Sequence, residues 1–177
     1  DLLPIVFTQY DIPYFTEQKS RAIPHPPAEL IRASLEVVRT WNYESVFRAL
    51  KTEFFPLSRE EIDRLENYVL EFGIRGSYWT QEEPWTFRRR LLLGEDGEPA
   101  EDAQLTAIND SRMRAVAPLK ELSHALKKAK TVEAYMTALY LFLESLEVPQ
   151  KLSAWADEAQ SRGDLTAAAE EMQVWKQ

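Results

Sequence analysis

Helical periodicity recurs along this chain, and the run from Ser58 to Gly73 is its clearest instance. Ser58-Arg59-Glu60-Glu61 is a capping box. The hydroxyl of Ser58 can accept the third backbone amide while Glu61 reaches back to the first. Behind it Ile62, Leu65, Tyr68, Val69 and Phe72 recur at helical spacing, and Gly73 supplies the stop. Other segments follow the same rule. Leu30, Ile31, Leu35 and Val38 predict a helix from Pro27 to about Arg39. Val46, Phe47 and Leu50 predict one from Tyr43 to about Phe54. A long helix is expected from about Glu101 to Ala129, kinked or split by Pro118. Thr131 can cap a helix through Leu146 whose apolar face is Tyr135, Leu139, Phe142 and Leu143. Pro149 fits the first turn of another, with Leu152 and Trp155, and Gly163-Asp164 reads as a break and a cap before a last helix.

Two stretches depart from this pattern. Ile12-Pro13-Tyr14-Phe15 is a short apolar segment between polar runs and reads as an edge strand, because Pro13 cannot donate to a central ladder. A lone strand cannot satisfy its own backbone, so its partners are expected in a neighbouring sheet. Residues 1–16 are therefore expected to be a stub of an adjoining α/β domain, and residues 17–177 a helical domain. Gly73 to Ala100 is the least regular part. It holds Gly73, Gly76, Gly94, Gly97, Pro84 and Pro99, an acidic loop at Glu95, Asp96 and Glu98, and the aromatics Tyr78, Trp79, Trp85 and Phe87. These aromatics are expected to pin the connection to the core.

Composition narrows the function classes. The 177 residues fit one domain, or at most two small ones. No apolar run approaches the roughly 18 residues of a membrane span. Cysteine is absent, which removes disulfides, thiolate nucleophiles and cysteine-ligated metals from this chain. No glycine precedes a lysine, so no Walker-type phosphate loop exists. His25 and His124 belong to no metal-ligand motif; His25 reads as a residue that positions the loop before a helix. Glu17 and Glu29 read as surface acids.

The formal charge is −8, a poor setting for nonspecific contact with phosphates. The charge is uneven, however, and local patches matter more than the total. Arg75, Arg88, Arg89 and Arg90 face only Glu82 and Glu83 in their stretch, while residues 155–177 are acidic. Arg88-Arg89-Arg90, preceded by Trp85 and Phe87, combines paired phosphate donors with rings that can stack on bases. The same run also reads as a solvated basic turn pairing with the acidic loop. Lys127, Lys128 and Lys130 close the long helix. They complement its negative end and could also meet phosphate. The same two readings hold for Arg112 and Arg114. Trp41, Trp79, Trp85, Trp155 and Trp175 are expected to be mostly core or inter-helix anchors.

An ordered set of segments carries a resemblance over nearly the whole chain. It comprises the opening Asp11-Ile12-Pro13-Tyr14-Phe15 with His25-Pro26, then Val46-Phe47-Arg48-Ala49-Leu50-Lys51-Thr52, then Asp63-Arg64-Leu65-Glu66-Asn67-Tyr68. It continues with Arg75-Gly76-Ser77-Tyr78-Trp79, Glu83-Pro84-Trp85, Ala138-Leu139-Tyr140-Leu141-Phe142-Leu143-Glu144 and Val148-Pro149. The set resembles the helicase-like region of AddB, the B subunit of the bacterial ATP-dependent helicase/deoxyribonuclease. Pro27-Ala28 departs from the Leu-Ile expected there. The resemblance implies a mainly α fold: a helical insertion, the counterpart of the 2B subdomain of superfamily 1 helicases, following a strand of a truncated α/β domain. It implies a cytoplasmic complex with the AddA helicase-nuclease subunit, acting on double- and single-stranded DNA in double-strand-break repair. ATP, magnesium and an iron–sulfur cluster are implied for that complex, with none of them held by these residues. A stand-alone acidic helical interaction module and a helicase-like repair protein outside AddB are the rival readings.

Overall fold

The computed structural model describes Phe7, Tyr10, residues 25–88 and residues 99–163, with side chains from residue 103 onward in the last stretch. The expected strand at Ile12–Phe15, the acidic loop, Arg89, Arg90, Glu17, Trp175 and the helix expected after Gly163 lie outside the described residues. Among the described residues the fold is helical and contains no strand. Six α-helices run Pro26–Thr40 (α1), Tyr43–Leu50 (α2), Arg59–Phe72 (α3), Pro99–Lys128 (α4), Val132–Ser145 (α5) and Val148–Ser161 (α6), with a 3-10 turn at Gly76–Trp79.

Four of these starts have a local cause. Pro26 and Pro27 occupy the first turn of α1, where no amide bond is lost. The Asn42 side chain accepts the Ser45 amide at the start of α2 (2.8 Å). The Ser58–Glu61 capping box opens α3, and Thr131 accepts the Ala134 amide at the start of α5 (3.2 Å). Gly73 ends α3 in the left-handed region at φ 61°, where its missing Cβ removes the steric cost. Trp41 takes the same conformation at the end of α1 (φ 48°) without that freedom. Its carbonyl accepts the Gly76 amide at 2.9 Å, which ties the first inter-helix turn to the connection after α3.

Three expectations are corrected. The second helix stops at Leu50 rather than near Phe54. Residues 51–57 leave the helix through Glu53 in the left-handed region (φ 67°), and Phe54 and Phe55 enter the core from a loop. Of the kink or split expected at Pro118, the split is corrected: the long helix is continuous from Pro99 to Lys128. Proline costs one ladder bond there, and the burial of Ala115, Val116, Leu119 and Leu122 around it holds the helix together. The inward face of α5 is set by Ala138 and Phe142, with Leu139 and Leu143 packed against the core, whereas Tyr135 points outward.

α4 is the central element: it packs against α1, α3 and α5, while α2 packs on α1 and α3, and α6 on α5. Leu30, Val37, Phe47, Leu50, Leu65, Leu119 and Leu152 form one continuous core with Trp79 and Trp85. α6 closes the far side. Trp155 lies 5.0 Å from Phe54, and Lys151 donates to the Phe54 carbonyl at 2.7 Å. α5 leaves Val132, Tyr135, Met136, Tyr140 and Leu141 exposed, so most of its outer surface is apolar.

Arg114 joins α4 to α3. It pairs with Glu61, bonds the Pro56 carbonyl (2.7 Å) and meets Asp110 at 3.0 Å. The Arg114 guanidinium, with the Ser58 amide, holds the Glu61 carboxyl down to about 2 against an ordinary 4.5. In the unfolded chain the same carboxyl protonates near its ordinary value. The unfolded state therefore binds more protons as pH falls from about 4.5 to about 2, and stability falls across that window. We expect Glu61→Gln, which can still serve the capping box, to flatten the loss of melting temperature between pH 4.5 and 2. An unchanged slope would remove Glu61 as its source.

Candidate nucleic-acid interface

The connection after α3 is fixed residue by residue against α4. Ile74 is buried, the 3-10 turn inserts Trp79 into the core, and an irregular stretch leads on to Trp85. There Asn109 of α4 acts as a backbone mimic. Its Oδ1 accepts the Trp85 amide at 2.7 Å and its Nδ2 donates to the Trp85 carbonyl at 3.0 Å. The Trp85 indole donates to the Tyr78 carbonyl at 2.8 Å, closing the loop on itself. One helical turn further along α4, Arg112 donates to the carbonyls of Gln81 (3.3 Å) and Glu83 (3.2 Å). Its guanidinium carbon lies 5.0 Å from the centre of the Trp85 ring. Arg112 is 1% exposed and pairs with no carboxylate among the described residues, so burial pulls its pKa down. Lys120 adds a longer bond to the Thr80 carbonyl at 3.4 Å.

This arrangement sorts the residues singled out in the sequence. Trp85 is 1% exposed, stacked on Tyr68 at 5.6 Å and edge-on to Trp79 at 5.3 Å. It has no accessible face for a base and serves as an anchor. Arg112 and Arg114 share α4 as expected, but both are committed to protein contacts rather than to solvent. Arg88 is exposed at the end of the pinned connection. Lys127 and Lys128 are exposed in the last turn of α4, and Lys130 just beyond it. At 1.5 Å per residue they stand roughly 28 Å along the axis from Ile108, beside which Arg88 lies. The structure does not gather the lysines and Arg88 into one patch. Glu29 pairs with Arg48 at 3.0 Å, and His25 precedes α1, its carbonyl accepting the Glu29 amide at 3.0 Å.

Two aromatics near Trp85 behave differently from it. Phe87 and Tyr78 are 38% and 49% exposed, their rings 6.0 Å apart and edge to face. Phe72 of α3 lies 5.8 Å from Phe87, nearly parallel at 21°. The Tyr68 hydroxyl fixes the connection by donating to the Phe87 carbonyl at 2.9 Å. Sequence spacing does not separate Phe87 from Trp85, since long-range contacts of Asn109 and Tyr68 accompany the inward turn of Trp85. Asn109 itself carried one signal, a polar residue on the core-facing side of a helix. No group of three His, Asp or Glu suited to a metal occurs among the described residues, and the chain has no cysteine for an iron–sulfur cluster.

No protein-family model matches the chain. Similar curated proteins are the B subunits of the ATP-dependent helicase/deoxyribonuclease from Heliobacterium modesticaldum (48% identical over 180 residues), Symbiobacterium thermophilum (45% over 183) and Pelotomaculum thermopropionicum (44% over 177). Each alignment covers 98–99% of this chain but only 15–16% of the relative, so the chain spans about one sixth of their length.

The clamp predicts its own cost. We expect Asn109→Ala to strand the amide and carbonyl of Trp85 and to lower stability by about 2 kcal/mol. The readout is a lower urea midpoint at an unchanged denaturant slope. Asp110→Ala, which removes only an exposed ion pair with Arg114, should cost about 0.5 kcal/mol or less. Equal losses would show that the clamp contributes no more than a surface contact.

Proposed function

Because this chain belongs to the family of AddB, the B subunit of ATP-dependent helicase/deoxyribonucleases, we propose that it is a non-catalytic scaffold and DNA-contacting domain within such a protein. The reading extends to a helical insertion of the 2B type in a superfamily 1 helicase-like protein, comprising residues 17–177, with residues 1–16 belonging to the neighbouring α/β domain. The observation that carries it is that the described helices share one continuous core around α4 while the chain aligns with only about one sixth of the length of its relatives. A body with its own core suits a single domain within a larger protein. ATP, magnesium and an iron–sulfur cluster would then be bound elsewhere in a complex with AddA that processes double-strand breaks in the cytoplasm.

Within that role Arg88, Arg89 and Arg90 are the first candidates for phosphate contact, and Lys127, Lys128 and Lys130 form a second, separate set. Trp85 contributes by anchoring the connection that presents Arg88. The exposed apolar face of α5 supports an additional docking role on protein, which is also what a stand-alone interaction module would use.

The test is fluorescence-anisotropy binding of the 177-residue chain to a tailed DNA duplex over a salt series. We expect binding that weakens with salt. Changing all three arginines to Glu should lower affinity and reduce the magnitude of the salt slope by about three. Unchanged affinity in that variant would remove the arginines from the DNA path. We also expect the purified chain to hydrolyse no ATP and cut no DNA. Turnover abolished by a point change within it would overturn the non-catalytic reading.

A further inference from the structure

We propose that the cleft bounded by Phe72 and Phe87 receives an unstacked base of single-stranded DNA, with Arg88 among its lining residues; this rests on the DNA-contacting reading above. The cleft measures about 320 Å³ and is lined by Tyr68, Phe72, Phe87, Leu105 and Ile108, with Glu71, Arg88 and Gln104 as its other polar members. That size lies at the lower end of pockets for small organic groups, about 300–1,000 Å³.

Four features point to a base. First, Phe87 and Tyr78 are 38% and 49% exposed although they sit beside a well-filled core. Second, they are held in place. The Phe87 carbonyl is bonded by Tyr68, and Trp85, two residues earlier, has both backbone groups bonded by Asn109. A ring presented from so fixed a connection loses little freedom on stacking. Third, the polar lining holds Glu71, Arg88, Gln104 and Tyr68, a set that can hydrogen-bond the edges of any base. Fourth, Arg88 follows Phe87 directly and lines the same cleft, so a phosphate linked to a seated base can meet a guanidinium. A duplex keeps its base faces covered by neighbours, whereas a single strand exposes them, and stacking on aromatic rings is tolerant of sequence. The site is therefore a platform for unwound strand rather than a reader of base identity.

The experiment compares anisotropy binding of the whole chain to a labelled oligothymidylate and to an abasic oligonucleotide of equal length. Phosphate contact is common to both probes; stacking belongs to the first alone. We expect wild type to favour the thymidylate by about 5- to 150-fold, the equivalent of one stacked base. That ratio should persist as salt is raised while both affinities fall. Phe87→Leu keeps apolar volume and the Phe87 carbonyl bonded by Tyr68, and should bring the ratio close to one while leaving abasic binding unchanged. Equal binding of both probes by wild type overturns the base site but leaves the phosphate-contacting reading standing. A ratio that survives this change also overturns it, since stacking would then lie elsewhere. Failure to bind either probe at low salt overturns both readings.

Discussion

A buried arginine organises this domain. Arg112 carries its charge into the core, where removal from water costs several kcal/mol. Two carbonyl acceptors and the face of Trp85 offset part of that cost. Its Nε and Nη1 atoms have no hydrogen-bond partner among the described residues, so the offset is incomplete. An apolar side chain of similar length would fill the space at lower cost, but it could not hold the carbonyls of Gln81 and Glu83. The value of Arg112 is therefore positional. With Asn109 it fixes the path of a glycine- and proline-containing connection, and so helps to place the rings from Tyr78 to Phe87.

Much of the helical scaffold was legible in the sequence because its causes are local. The capping box at Ser58, the stop at Gly73, the cap at Thr131 and the prolines at the start of α1 each act within one turn. The apolar spacing of α3 also identified its buried face. The misreadings arise where distant contacts decide. Phe54 continues the spacing of α2, but Trp155 and Lys151, about a hundred residues away in sequence, draw it into a loop instead. Pro118 ought to divide α4 by its own chemistry, yet packing on both sides keeps the helix whole. Tyr135 has the right spacing for the core, and α5 simply has more apolar positions than one buried face can use.

The candidate site was legible only in outline. The coexistence of aromatics and arginines between residues 75 and 90 is plain in the sequence. Which ring faces solvent is not, since Trp85 and Phe87 lie in an irregular connection where no periodicity assigns a side. The Asn109 clamp, the Tyr68 hydroxyl and the stack on Tyr68 send Trp85 inward and leave Phe87 at the surface. Arg112 and Arg114 show the converse. Both are basic residues in an acidic chain and both invite a phosphate reading, yet one supports the core and the other ties α4 to the capping box of α3.

The proline within α4 has a mechanical meaning. Residues ahead of Pro118 carry Asn109, Arg112 and Arg114, and so hold the aromatic connection and α3. Residues behind it pack chiefly on α5, through Leu122 and neighbouring positions. The ladder is interrupted between these two halves, because Pro118 offers no amide to the carbonyl of Arg114. Fraying that begins at the lysine end therefore meets a natural stopping point before it reaches the clamp. The long helix is therefore one rod in shape with a missing ladder bond at its middle, between the half that holds the aromatic connection and the half that faces α5.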